Sequence, residues 1–113
     1  MATQIINIEK NYPTVEEAMN RLRLEMSTLR RIGVKSVKII HGYGSTGVGG
    51  SIRQASRQYL KKLEMDHRIK ALCVGEHFGP FEQDGRDILG FDKSFRSDPD
   101  WARYNDGITL VVL

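Results

Sequence analysis

Val34-Lys35-Ser36-Val37-Lys38-Ile39-Ile40 runs directly into His41-Gly42-Tyr43-Gly44-Ser45-Thr46-Gly47-Val48-Gly49-Gly50-Ser51, and that into Ile52-Arg53-Gln54-Ala55-Ser56-Arg57-Gln58-Tyr59-Leu60. The first run is apolar and β-branched and reads as a strand; the last has apolar residues at helical spacing. Five of the eleven residues between them are glycine. A glycine-rich bend leading from a strand into a helix leaves backbone N–H groups free to converge on an anion, and the helix dipole adds attraction. Glycine suits such a bend because the chain there visits φ > 0 and must let a ligand approach the backbone. The alternative is a flexible connection that binds nothing.

Working outward, residues 5–8 form a short β-branched strand. Thr14-Val15-Glu16-Glu17 matches a capping box and opens a helix expected to end near Ile32, with Gly33 as its stop. Val15, Ala18, Met19, Leu22, Met26, Leu29 and Ile32 recur at three- and four-residue steps and make one apolar face. The second strand covers residues 34–40. A second helix is expected to start at Ser51 as N-cap and to bury Ile52, Ala55, Tyr59 and Leu63. Further strands fit residues 69–74 and 108–113. Alternation of strand and helix implies parallel pairing with right-handed crossovers and the two helices on a common face. Residues 75–107 have no sustained period. They are read as an irregular insert whose aromatics (Phe78, Phe81, Phe91, Phe95, Trp101, Tyr104) fold back over the sheet or meet a partner. Asp98-Pro99-Asp100-Trp101 is read as one capped helical turn.

The 113 residues suit one compact domain, residues 1–113. No stretch approaches the roughly 18 apolar residues of a membrane span, and the N-terminus lacks a signal-peptide layout. With a single cysteine, Cys73, expected to be a buried thiol, the composition suits a cytoplasmic protein. The net charge of +3 divides unevenly. Residues 1–75 hold 13 Lys/Arg against 6 Asp/Glu, whereas residues 76–113 hold 4 against 8. The basic part contains the bend, which favours a polyanionic partner.

Two nucleotide motifs nearly fit. Gly42-Tyr43-Gly44-Ser45-Thr46-Gly47 satisfies G-x-G-x-x-G, but it follows the second strand and no acidic residue ends the next strand to hold a ribose. Residues 44–51 resemble a P-loop with Gly50 where the phosphate-binding lysine must stand. Beyond the bend, Arg53, Arg57 and Lys61 lie at i, i+4 and i+8 on one helix stripe, spread over roughly 12 Å. Such a stripe suits a phosphate backbone better than one small anion; a solvated helix face is the rival reading. His41, at the strand end, is placed to bond phosphate or to act as general acid/base. His67 and His77 have no neighbours at metal-ligand spacing, and Glu76, Glu82, Asp84 and Asp87 are a weak candidate set for a divalent ion.

Together these residues resemble an Smr (small MutS-related) domain. Residues 33–44 are similar to the family's second strand ending in its H-G-x-G motif, and residues 51–60 to the helix that follows. Thr14-Val15-Glu16-Glu17-Ala18 resembles the start of its first helix, and Gly107-Ile108-Thr109-Leu110-Val111-Val112-Leu113 its closing strand. The resemblance implies a two-layer α/β sandwich, β-α-β-α-β-(insert)-β, with a mixed four-stranded sheet and two main helices. It also implies nucleic-acid binding and, in several members, endonuclease activity. The family's L-D-x-H motif is replaced here by Ile6-Asn7-Ile8-Glu9, with Asn7 for the acid and Glu9 for the histidine. An amide cannot accept a proton at neutral pH.

Three functional expectations follow. The leading one is DNA or RNA backbone binding by His41, Gly42, Gly44, Ser45, Thr46, Gly47, Gly49, Gly50, Ser51, Arg53, Arg57 and Lys61. The second is surviving endonuclease activity with His41 and Glu9 as catalytic pair; no resident metal or cofactor is required, though a divalent cation such as Mg²⁺ is compatible. The third is a protein-docking or homodimer contact through the insert. No membrane partner is expected.

Overall fold

The computed structural model describes residues 3–43 and 47–113, apart from the side chains of residues 47–49. Four strands, β1 (Gln4–Asn7), β2 (Ser36–Ile40), β3 (Ala71–Val74) and β4 (Ile108–Val112), form one sheet in the order β1-β2-β4-β3. β1 and β2 are parallel neighbours, with Ile6 opposite Ile39. β4 enters between β2 and β3 and runs antiparallel to both, pairing Lys38 and Cys73 with Leu110 from either side. The sheet is therefore the expected mixed one. β3 points the same way as β2 but meets it only through β4.

Helices α1 (Val15–Arg31) and α2 (Gly47–Met65) cover one face. α1 starts as its capping box dictates: the Thr14 hydroxyl accepts from the Glu17 N–H at 3.1 Å, and the Glu17 carboxylate accepts from the Thr14 N–H at 2.8 Å. It stops at Gly33, whose φ of +87° is natural only for glycine. Ala18, Met19, Leu22 and Met26 meet Ile6, Val37, Ile39, Val111, Ile52 and Leu60 in the first core. Ile32 departs from expectation: it caps α1 beyond the last turn and is 68% exposed. α2 begins at Gly47, not after Ser51, so glycines 47, 49 and 50 belong to its first turn rather than to the bend.

The insert is more regular than its sequence suggests. It forms a 3₁₀ turn (Gly75–His77), a nine-residue helix α3 (Gln83–Phe91) and a second 3₁₀ stretch (Lys93–Ser97) over the other sheet face. Phe78 packs edge-on against both Phe95 and Trp101, with centroids 5.6 and 5.1 Å apart, over Cys73, Ile108, Leu110 and Val112. Burial pushes the Cys73 thiol up to about 12, with Asp84 and Glu76 adding to the effect, so it is protonated and inert. Asp98 caps a hydrogen-bonded turn through the Asp100 N–H, in place of a helical turn.

The insert is tied to the sheet by polar groups. Lys38, on the inner face of β2, is 6% exposed and bonds Asp98 at 2.7 Å and Asp100 at 2.6 Å. Burial alone would lower its pKa, but the hydrogen bonds to Asp100 and Asp98 outweigh it and hold the pKa above the ordinary lysine value. The Ser36 hydroxyl bonds Asp92 at the end of α3.

Candidate nucleic-acid interface

β2 delivers His41 to the layer between sheet and α2, where the side chain is fully buried. Its Nδ1 lies 3.0 Å from the Gly42 carbonyl oxygen, and its Nε2 lies 2.8 Å from the Thr109 hydroxyl on β4. A carbonyl only accepts, so Nδ1 carries the proton, and Nε2 accepts from Thr109. The Thr109 oxygen in turn accepts from Arg57 Nε at 3.1 Å. Burial drives the His41 pKa down to about 4. The bond to Gly42 opposes the shift, and Arg57 and Arg53 add to it. The expectation of a histidine at the mouth of the bend thus meets a different placement. His41 is a neutral brace beneath it, with both ring nitrogens engaged.

Arg57 is the hub of this brace. Its guanidinium forks onto Glu76 at 2.9 and 2.7 Å and also reaches the carbonyls of Ile108 and Asp106 at 3.1 and 3.3 Å. Burial of Glu76 would raise its pKa, yet the bonds and charge from Arg57 hold it below the ordinary value. The stripe read from i, i+4 spacing is therefore partly internal. Arg53 pairs with Asp106 at 3.2 Å and Lys61 with Glu64 at 3.0 Å. Sequence spacing gave no sign of Glu76, Asp106 or Thr109 as partners, since they lie 19 to 53 residues away. The one available signal was Thr109 itself, a lone hydroxyl inside an apolar strand.

Gly42 has the positive φ expected of the bend, but the space beside its backbone is taken by the Glu9 side chain rather than left to a ligand. The glycine's φ is +81°, and a Cβ there would stand 2.1 Å from Glu9 Oε2. The exposed Glu9 carboxylate thus lies against the H-G-x-G bend. Asn7, in the position of the family's acid, accepts from the Glu9 and Lys10 N–H groups at 3.1 Å each and shapes the turn that puts Glu9 there. Gly107 helps fix the bend, its carbonyl accepting from the His41 and Gly42 N–H groups at 3.1 and 3.0 Å. Gly44, Ser45 and Thr46 lie outside the described residues.

A shallow groove of about 700 Å³ runs along the outer face of α2, lined by Gly50, Arg53, Gln54, Arg57, Gln58, Lys61, Lys62 and Met65. Four cations and two amides line it, and none of the lining residues is a carboxylate. On the opposite sheet face, His77, Glu82 and Asp84 bring one ligand atom each within 4.8 Å of one another, with His77 Nδ1 3.1 Å from Asp84. Of the other acids considered for a cation, Glu76 is held by Arg57 and Asp87 accepts from Gln83 at 2.6 Å. No helix among the described residues is long and apolar enough to cross a membrane.

The model of a family described as the Smr domain matches residues 12–78. The match takes in α1, β2, the bend, α2 and β3, and begins after the strand that carries Asn7 and the turn that carries Glu9. In three dimensions the chain is similar to the crystal structure of the Smr domain of Thermus thermophilus MutS2. The TM-score is 0.60 at 20% identity, and 98% of each chain is covered. No curated protein matches in sequence.

Proposed function

The chain belongs to the Smr domain family, and from that premise we propose that it binds the sugar–phosphate backbone of nucleic acid along the outer face of α2. One observation carries the reading: the α2 groove, lined by Arg53, Arg57, Lys61 and Lys62 with Gln54 and Gln58 between them and no lining carboxylate. Guanidinium, ammonium and amide donors are the groups that position phosphate oxygens without reading bases. The glycine-rich first turn of α2 adds backbone N–H donors and the positive end of the helix dipole. Asp106, Glu76 and Glu64 neutralise part of this charge while holding the side chains in place, so affinity is moderate and depends on several contacts acting together. In this reading His41 does not touch phosphate; through its bond to the Gly42 carbonyl it fixes the peptide plane at the mouth of the bend.

The test is a mobility shift with single- and double-stranded DNA and RNA at 50 and 200 mM salt. Binding of at least one of them at low salt is expected, falling at least tenfold at the higher salt. No retention of any of the four at low salt removes the reading.

A second reading, backbone cleavage, is favoured by the position of Glu9 against Gly42. The buried, neutral and doubly bonded His41 cannot reach a substrate proton, whereas the exposed Glu9 carboxylate is able to accept one from a water or a ribose 2′-hydroxyl. Products on the same gels should disappear in Glu9→Gln; products that persist in that variant remove Glu9 from the chemistry.

A further inference from the structure

The ion pairs divide the basic residues into two groups. Arg53, Arg57 and Lys61, the cations of the spacing-derived stripe, each have a carboxylate partner. Arg23, Lys62 and Arg68 have none within ion-pair distance among the described residues, and all three are exposed. They meet in a groove of about 350 Å³ between α1 and α2, shared with Arg30, Ser27 and Tyr59; Asp66 is the single carboxylate lining it. The groove is a formed feature. Arg30 donates to the Arg68 carbonyl across it, tying α1 to the turn after α2, and the Arg23 guanidinium stands 5.5 Å from the Tyr59 ring centre. Lys62 lines this groove and the α2 groove alike, so the two surfaces are continuous around the helix.

We infer that the α1–α2 groove is a second phosphate-holding surface, over which the nucleic acid continues after leaving the α2 face, with Arg23, Lys62 and Arg68 as its contacts. The inference rests on the nucleic-acid reading above. Nine residues of α2 separate Arg53 from Lys62, about 14 Å at the helical rise, which one strand of a duplex covers in about four phosphates. A ligand reaching from one groove to the other thus needs only a short strand. The unpartnered cations supply most of the counterion release on this surface, because a cation already neutralised by a carboxylate displaces fewer ions when phosphate arrives.

The experiment compares the whole chain with the variant Arg23→Gln/Lys62→Gln/Arg68→Gln, using a fluorescent 12-nucleotide single strand and the matching duplex over a range of salt. The charge-preserving pair Arg23→Lys/Arg68→Lys serves as control for lost packing on Tyr59. Removing the three charges is expected to weaken binding about tenfold or more and to reduce the slope of log affinity against log salt by about 2 to 3, while the lysine pair keeps the slope. Wild-type affinity and slope in the glutamine variant would overturn the inference and leave the α2 surface standing as the binding face. Absence of binding by the wild-type chain would remove both.

Discussion

Lys38→Met is expected to destabilise the fold by about 3–5 kcal/mol, because it strands two carboxylates inside the structure. The lysine side chain is 8% exposed, and Asp98 and Asp100 beside it are 9% and 23% exposed. Removing one member of a buried group leaves the others without the charge that offsets their desolvation. Asp100 has a second partner, the Asn105 amide at 3.2 Å, which does not replace a cation. Adding Asp98→Asn and Asp100→Asn to Lys38→Met should restore a large part of the loss, since a set of groups without charge carries no such penalty. Urea unfolding of the single and triple variants measures this. A single variant within 1 kcal/mol of wild type would show that the insert is not held by this cluster. The site bears on function because the same clamp sets the path of residues 98–107, whose Asp106 holds Arg57 through its carbonyl and Arg53 through its carboxylate.

The second large effect is on pH. His41 is neutral in the fold with a pKa of about 4 against an ordinary 6.5. Between those values the unfolded chain takes up a proton that the native chain refuses. Stability is therefore full above about pH 6.5 and falls as the pH drops toward 4, by about 3 kcal/mol at 1.36 kcal/mol per unit. Protonation would also turn Nε2 into a donor facing Thr109, beside the Arg57 charge. The carboxylates held below their ordinary values, Glu76, Asp92 and Asp100, lose their contributions in the same direction but at lower pH. Urea midpoints at pH 7 and pH 4.5 should differ clearly in wild type, and much less in His41→Gln. An equal pH response in the two proteins would contradict the buried-neutral assignment.

How far the sequence foretold this is best judged at particular residues. The capping box at Thr14, the stop at Gly33 and the period of α1 were legible because each depends on neighbours within four residues. The strands were legible from β-branched runs, with ends off by one or two residues. α3 was missed because Asp84-Gly85-Arg86-Asp87 reads as a turn. Gly85 sits in the helix because its missing side chain lets the backbone oxygens of His77 and Gly79 come within 2.3 Å of where a Cβ would stand. That requirement comes from tertiary packing, which local propensity does not record. In the candidate site, the positive φ of Gly42 was readable from its glycine, and Glu9 entered only through the family resemblance. The fate of the basic stripe was not readable. Helical spacing places Arg53, Arg57 and Lys61 on one side of α2 but cannot say that β4 and the chain before it bring Thr109 and Asp106 to that side. The burial of Lys38 was equally out of reach, because its partners Asp98 and Asp100 lie about 60 residues further along the chain.

The most direct test of the central claim is an amide chemical-shift map of the chain titrated with a 12-nucleotide strand. Perturbations should concentrate on the outer face of α2, at Gly50, Gln54, Gln58 and Lys61, and continue to Lys62 and Arg68. Residues of α3 on the opposite sheet face, Ile88 among them, should stay where they are. Shifts confined to α3 and the 3₁₀ stretches, with α2 silent, would contradict the account.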